Sequence, residues 1–156
     1  MLRAQKSNRQ LRATGLRFGI VASRYNTKLA TSLLAYCLQT LTCAGARSRD
    51  LKVVLVPGSF EISVAAARLA KSRRYDCVIG LGVILKGQTS HAQHIADAVA
   101  HGLTQIAIMT GVPTIFGVVT ANNLRQAQVR CLAGKHNRGR EAAEAAIAMA
   151  QLSRQW

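Results

Sequence analysis

The stretch Cys77-Val-Ile-Gly-Leu-Gly-Val-Ile-Leu85, continued by Lys86-Gly-Gln-Thr-Ser-His91, sets the reading of the whole chain. Its apolar run has the make-up of a strand buried in a sheet, and Lys86-Gly87 ends it. Thr89 and Ser90 then open a helix-like stretch with His91 in its first turn. Such a junction gathers free backbone N–H groups, two hydroxyls and a titratable imidazole at one strand end. Helix N-termini attract phosphate, and histidine moves protons near neutral pH. The pattern points to chemistry on a small phosphorylated molecule.

Working outward, strand and helix patterns alternate. Leu16 to Ser23 is an expected strand. Thr27 to Ala44 carries Leu29, Leu33, Leu34, Cys37, Leu38 and Leu41 at helical spacing, and Gly45 ends it. Leu51 to Val56 is a second strand, stopped by Pro57-Gly58, and Phe60 to Ala70 a second helix. After the Cys77–Leu85 strand come a helix from Ser90 to Met109, a strand from Thr114 to Thr120, a short helix capped by Asn122 or Asn123 and running through Leu132, and a last helix from about Asn137 to Leu152. Four such alternations predict an α/β domain over residues 17–156, with a parallel sheet, right-handed crossovers and helices on both faces. Residues 1–16 are polar, basic and aperiodic, and read as an arm. In sheets of this kind ligands bind beyond the C-terminal strand ends. Those ends are Ser23-Arg24-Tyr25-Asn26, Pro57-Gly-Ser-Phe-Glu61, Leu85 to His91 and Thr120 to Asn123, where the unusual polar clusters fall.

The totals narrow the class further. At 156 residues, 49% hydrophobic with 12 Gly and 2 Pro, the chain suits one alanine-rich α/β domain without metal or disulfide staples. Cys37, Cys43, Cys77 and Cys131 form no C-x-x-C pair and lie among apolar neighbours, which favours buried free thiols of a reducing compartment. No apolar stretch has the length of a membrane span and no secretory signal opens the chain, so a soluble cytoplasmic protein is expected. Lys and Arg number 21 against 6 Asp and Glu, a formal charge of +15. That balance raises polyanions as partners. The basic residues are nonetheless spread out, at Arg3 to Arg17, Arg47/Arg49/Lys52, Lys71/Arg73/Arg74 and Lys135/Arg138/Arg140. No aromatics interleave with them as a single-strand binder needs, which argues against nucleic acid. A basic surface that concentrates an anionic substrate or retains acidic cargo is the functional reading of the charge; a solvated surface is the plainer one.

Each candidate site residue has two readings at this level. His91 is a neutral base disfavoured from protonating by the helix dipole, or a surface histidine. His94 and His101 share its helical face, but no further ligands converge for a metal. Gly87-Gln88-Thr89 presents amides and a hydroxyl to phosphate, or is an ordinary cap. Glu61 accepts polyol hydroxyls, or merely favours a helix N-terminus. Tyr25 stacks on a planar ring, or covers the sheet edge. Arg130, with Lys135 and Arg138 beyond it, closes on an anion, or is solvated.

Five motifs in register resolve these alternatives by resemblance. Ser23-Arg-Tyr-Asn26, Val56-Pro-Gly-Ser-Phe-Glu-Ile62, Leu81-Gly82 with Lys86-Gly-Gln-Thr-Ser-His91, Thr110-Gly-Val-Pro-Thr-Ile-Phe-Gly-Val-Val-Thr120, and Asn137-Arg-Gly139 before Glu141-Ala-Ala143 resemble the lumazine synthase family. The likeness spans about residues 17 to 153. It implies a three-layer flavodoxin-like sandwich with a four-stranded parallel sheet. It also implies condensation of a ribitylaminopyrimidine with a phosphorylated four-carbon ketone, without cofactor or metal. By the same resemblance, Tyr25 would stack on the pyrimidine, where the family usually has Phe or Trp. Ser59, Phe60 and Glu61 would bind the ribityl chain, and Ile84 and Leu85 would meet the heterocycle through their backbone. Gln88 and Thr89, with Arg130, would hold phosphate, Lys86 would be a further substrate-binding residue, and His91 would transfer the proton. Phe116, Arg130 and Arg138 would come from a neighbouring subunit of a homopentamer, or of a 60-subunit shell of pentamers, with a functional link to riboflavin synthase. The chain departs from the family's usual wording at Arg138, where Lys is common, at Gln88, and over Cys131-Leu-Ala-Gly-Lys-His136. A shell-forming or polyanion-binding relative with a mainly structural role is the competing expectation.

Overall fold

In a computed structural model, which describes residues 11–156, the chain builds β1 (Phe18–Ser23), α1 (Thr27–Cys43), β2 (Leu51–Val56), α2 (Ile62–Lys71), β3 (Cys77–Leu85), α3 (His91–Thr110), β4 (Thr114–Ala121), α4 (Leu124–Cys131) and α5 (Arg138–Ser153). Short 3-10 turns at Ser48–Asp50 and Ser59–Glu61 precede β2 and α2. The strands form one parallel sheet in the order β2-β1-β3-β4. The expected four-stranded α/β sandwich is therefore the observed one, with strand and helix ends moved by one or two residues.

Alternation along the strands explains the layers. Phe18, Ile20 and Ala22 of β1, with Cys77, Ile79 and Leu81 of β3, pack against Cys37 and Leu41 of α1 and the alanine-rich face of α5. Val21, Val78 and Ile84 point the other way, onto Ile62 and Ala66 of α2 and Val99 and Leu103 of α3. A third cluster of Leu29, Leu33, Val83, Val119 and Ala127 closes the C-terminal end under α4. β3 lies inside the sheet and is covered on both faces, which is why its sequence shows no polar alternation.

The arm expected over residues 1–16 has two fates. Residues 1–10 lie outside the described residues. Residues 11–16 are docked: Ala13 and Leu16 are buried, the Ala13 N–H donates to the Ala44 carbonyl at 2.8 Å, and the Arg154 guanidinium donates to the Gly15 carbonyl at 2.9 Å. Small apolar side chains hidden in a basic stretch carry no periodic signal, so the sequence did not separate them from the arm. The N-terminal edge of the sheet gathers Arg17, Arg47, Arg49, Lys52, Lys71, Arg73 and Arg74, where buried Asp50 meets Arg47 at 3.4 Å and Asp76 meets Arg154 at 2.9 Å. These basic clusters sit at the opposite edge from the C-terminal strand ends.

Three of the four thiols are buried, as expected, and burial pushes them up, Cys37 to about 12 and Cys131 to about 11. Cys43, at the end of α1, is exposed instead. Leu41, two residues before it on the helix, is buried.

Helix α5 approaches α1 closely at one residue. A Cβ on Gly139 would collide with the Leu33 carbonyl oxygen, an atom that cannot rotate away. Gly139→Ala should therefore cost about 2–3 kcal/mol, as overpacked sites do. It should lower the melting temperature by roughly 5–10 °C, read by thermal unfolding; an unchanged melting temperature would mean that the two helices are not in this contact.

Candidate functional site

The chain leaves β1 toward β2 and leaves β3 toward β4, so the strand order reverses between β1 and β3. A crevice opens at the C-terminal ends of such a pair. Here it is a cavity of about 810 Å³, lined from four segments. Tyr25 and Asn26 come from the loop after β1, Gly58 to Glu61 from the turn after β2, Val83 to Leu85 from β3, and Gly87, Thr89, His91, Ala92, His94 and Ile95 from the loop into α3 and its first turns.

Each segment has a local reason for its shape. Asn26 takes a left-handed conformation (φ 56°) and its Nδ2 donates to the Val83 carbonyl at 3.0 Å, which ties the loop after β1 to β3. Asparagine is among the few residues that tolerate this region. After Pro57 the backbone tightens into the Ser59–Glu61 turn instead of starting an α-helix. The Gly58 N–H donates to Glu61 Oε2 at 2.8 Å, so the carboxylate holds the turn that carries it into the cavity wall. Beyond Leu85, the Lys86 N–H donates to the Ala121 carbonyl at 2.8 Å, and the next residues run exposed to α3. The His91 N–H donates to Thr89 Oγ1 at 3.4 Å, and His94 Nε2 lies 3.2 Å from Ser90 Oγ. Ser90 does not cap the N-terminus of the 20-residue α3 with its side chain, and the first residues of that helix, His91, Ala92, His94 and Ile95, line the cavity.

Of the residues named from sequence, the cavity brings together Tyr25, Ser59, Phe60, Glu61, Ile84, Leu85, Thr89 and His91. Ile84 and Ser59 are buried in its wall, whereas Tyr25 is 72% and Phe60 61% exposed at its mouth. Lys86 and Gln88 are exposed on the loop above and do not line it.

Phe116, Arg130 and Arg138 do not line it either; they form a second cluster at β4, the edge strand of the sheet. Arg138 Nη2 donates to the Phe116 carbonyl at 2.8 Å. Arg130 grips Glu141 with both nitrogens, Nη1 to Oε1 at 3.2 Å and Nη2 to Oε2 at 2.6 Å, and Arg138 Nη1 reaches the same Oε2 at 3.3 Å. Burial alone would push the Glu141 carboxyl up, but the bonds and charges of Arg130 and Arg138 outweigh it and hold the carboxyl below its ordinary value. Asn137 fixes the start of α5, accepting from the Gly139 and Arg140 N–H groups and donating to the Cys131 carbonyl at 2.5 Å.

Glu141 and Asn26 are the residues that sequence reasoning did not assign a role. Glu141 stood in a quoted motif, and its spacing of three from Arg138 was a signal of helical pairing. The partner that completes it, Arg130, lies on another helix. Among the described residues, no group of three or more His, Cys, Asp or Glu side chains is arranged to hold a metal, and no helix is long and apolar enough to cross a membrane.

Compared with known proteins, the chain matches the family model described as 6,7-dimethyl-8-ribityllumazine synthase over residues 15–154.

The lowered Glu141 carboxyl has a stability consequence. A depressed carboxylate adds stability above its unfolded-state value of 4.5 and loses it as pH falls through the folded-state value. At pH 7 Glu141→Gln should melt below the unsubstituted protein. That gap should close as pH falls below 4.5 and through the lower folded-state value, followed by thermal melts across pH; a gap independent of pH would remove Glu141 from the acid response.

Proposed function

The chain belongs to the 6,7-dimethyl-8-ribityllumazine synthase family of riboflavin-biosynthesis enzymes, and from that membership we propose that it condenses 5-amino-6-(D-ribitylamino)uracil with 3,4-dihydroxy-2-butanone 4-phosphate. The products are 6,7-dimethyl-8-ribityllumazine, phosphate and two molecules of water. The observation that carries this reading is the cavity at the β1/β3 crevice, which combines a stacking aromatic, a polar turn, a strand edge, a helix N-terminus and a histidine.

The substrates supply the reactive groups. The pyrimidine's 5-amine attacks the ketone carbonyl and an imine forms with loss of water; phosphate then leaves, the resulting enol becomes a carbonyl, and attack of the ribitylamine nitrogen on that carbonyl closes the ring with loss of a second water. No cofactor is required, so the protein contributes orientation, an anion clamp and proton transfer. Tyr25 stacks on the pyrimidine, while Ile84 and Leu85 present strand backbone to its edge. Ser59, Phe60 and Glu61 take the ribityl chain. Thr89 and the N-terminus of α3 take the phosphate, with Lys86 and Gln88 on the loop above. His91, the first residue of α3, lines the cavity and shuttles the proton.

The phosphate needs a cation that this cavity's own wall does not supply, and Arg130 of a second copy meets that need. Phe116, Arg130 and Arg138 are clustered at the edge strand, with Glu141 fixing both guanidiniums. Tyr25 and Phe60, exposed at the cavity mouth, offer the apolar surface a neighbouring subunit would cover. The working unit is thus a homo-oligomer, a pentamer or a shell of pentamers, acting in the cytoplasm and linked functionally to riboflavin synthase. The domain over residues 17–156 carries the reaction. The segment before it is an extension whose last residues dock on the domain.

The test is to mix the two substrates with the protein and follow lumazine absorbance. Arg130→Ala should weaken use of the phosphate substrate by about 10- to 100-fold, the worth of a charged hydrogen bond. His91→Ala should lower kcat by about 100-fold, the low end of what a proton-transfer residue contributes, while leaving measurable turnover. Absence of lumazine formation by the unsubstituted protein would overturn the reading, and an Arg130→Ala variant with unaltered phosphate-substrate KM would remove the clamp.

A further inference from the structure

The edge of the sheet opposite the cavity carries a charge that the proposed chemistry does not use. Strands β1, β2 and β3 start level there, with Phe18 paired to Leu51 on one side and to Cys77 on the other. Two of the chain's six side-chain carboxylates lie at this edge, and both are engaged by the fold. Asp50, 7% exposed, sits between Arg17 Nε at 3.7 Å and Arg47 Nε at 3.4 Å. Asp76 accepts from the Arg17 N–H at 2.7 Å and from the Arg154 guanidinium at 2.9 and 3.0 Å. Among the described residues, Arg49, Lys52, Lys71, Arg73 and Arg74 are exposed and none pairs with a carboxylate. The charge this edge turns to solvent is therefore positive. Arg73 also ends α2 in a left-handed conformation, φ 56°, where helices favour glycine. A full side chain there strains the backbone, yet it sets three cations, Lys71, Arg73 and Arg74, in one tight turn. Arg74 stands two residues before Asp76, and Trp156 two residues after Arg154, the partner of Asp76. That pair brings the indole, 79% exposed, to the same edge as the turn.

We propose that this edge binds single-stranded nucleic acid through its phosphate backbone, without reading sequence, and that Trp156 stacks on one of its bases. A phosphodiester chain carries an anion at every nucleotide, which suits cations spread over level strand starts and a helix end, and binding releases its counterions. Arginine forks match phosphate oxygens in shape as well as charge. An indole stacks on any base, because every base has a π-face. The absence of aromatics between the basic residues along the chain counts against nucleic acid only until the chain folds; the Arg154–Asp76 pair then brings one to them. An acidic peptide would need carboxylates at most positions of a short run and offers the indole no ring. A membrane-binding face carries apolar side chains among its cations, and residues 49–52 and 71–74 expose none.

Fluorescence anisotropy with a labelled oligouridylate of about 16 nucleotides, the upper length of a single-strand site, tests this across a range of salt. Binding should weaken with salt at a log–log slope of about −3, as contact with four or five phosphates requires. Arg49→Gln/Arg74→Gln should weaken binding by about tenfold and reduce the slope by about 1.4. Lys28→Gln/Arg125→Gln removes two exposed cations at the other edge, beyond a Debye length, and should stay within about twofold. Trp156→Ala should weaken the single strand by about tenfold and leave a duplex of the same length within about twofold. Arg73→Gly should bind less tightly while melting no lower than the unsubstituted protein. Binding is read without substrate, so it stands apart from the proposed function, and lumazine formation should be equal in all these variants. Equal losses in the two double variants would reduce the effect to net charge and overturn the proposal. So would binding that survives in Arg49→Gln/Arg74→Gln but vanishes on removal of residues 1–10. Displacement by polyglutamate at lower concentration than by unlabelled oligouridylate, or capture on phosphatidylserine vesicles with no affinity for the oligonucleotide, would overturn it as well.

Discussion

Strand β3 is hydrogen-bonded on both sides and covered on both faces, so nothing polar can stand along it until it leaves the sheet at Leu85. That constraint places every later feature. Glycines at 80 and 82 let Ile62 and Leu103, and then Ser59, press against the strand's backbone, which brings the turn after β2 over the crevice. Where β3 ends, the chain turns at once into α3, so the first N–H groups of a long helix and the His91 imidazole arrive beside the ends of β1 and β3. A side chain at residue 82 would push the Ser59–Glu61 turn away from the strand, and the cavity would lose one wall.

Much of this was legible in the sequence because its signals are local. The unbroken apolar run of β3, the helical spacing of α1 and the Gly–Pro punctuation before β4 each follow from the physics of a few neighbouring residues. Parallel alternation then fixed which loops share an edge, and the four polar clusters were correctly expected there. What stayed hidden depends on distant pairs. The αL turn at Asn26 is recognisable only once its amide is seen to reach Val83. The docking of Ala13 and Leu16 needs the ends of α1 and α5 beside them. The grip of Arg130 on Glu141 joins α4 to α5 across a loop with unfamiliar wording, and no periodicity reports it.

The candidate site divides into two parts with different physical characters. The crevice at β1 and β3 is concave, largely apolar and supplied with backbone donors, which suits a planar ring, a polyol chain and an anion at a helix end. The cluster at β4 is cationic and braced, because one carboxylate holds two guanidiniums in fixed directions. Bracing matters for an anion clamp: a guanidinium already held by Glu141 loses little further freedom when a phosphate arrives. The two parts do not meet within one chain, and the account joins them across copies. A separate basic group, Arg17, Arg47, Arg49, Lys52, Lys71, Arg73 and Arg74, gathers at the opposite edge of the sheet, away from both parts.

The claim that a working site combines the crevice of one subunit with the arginine cluster of another is tested most directly by complementation. A Thr89→Ala/His91→Ala chain and an Arg130→Ala chain, each impaired alone, are co-expressed and the mixed oligomers assayed for lumazine formation. With random mixing about one quarter of the sites would pair an intact crevice with an intact cluster, as a head-to-tail interface requires, and activity should rise well above that of either variant. Mixed oligomers no more active than the mean of the two parents would contradict a shared site.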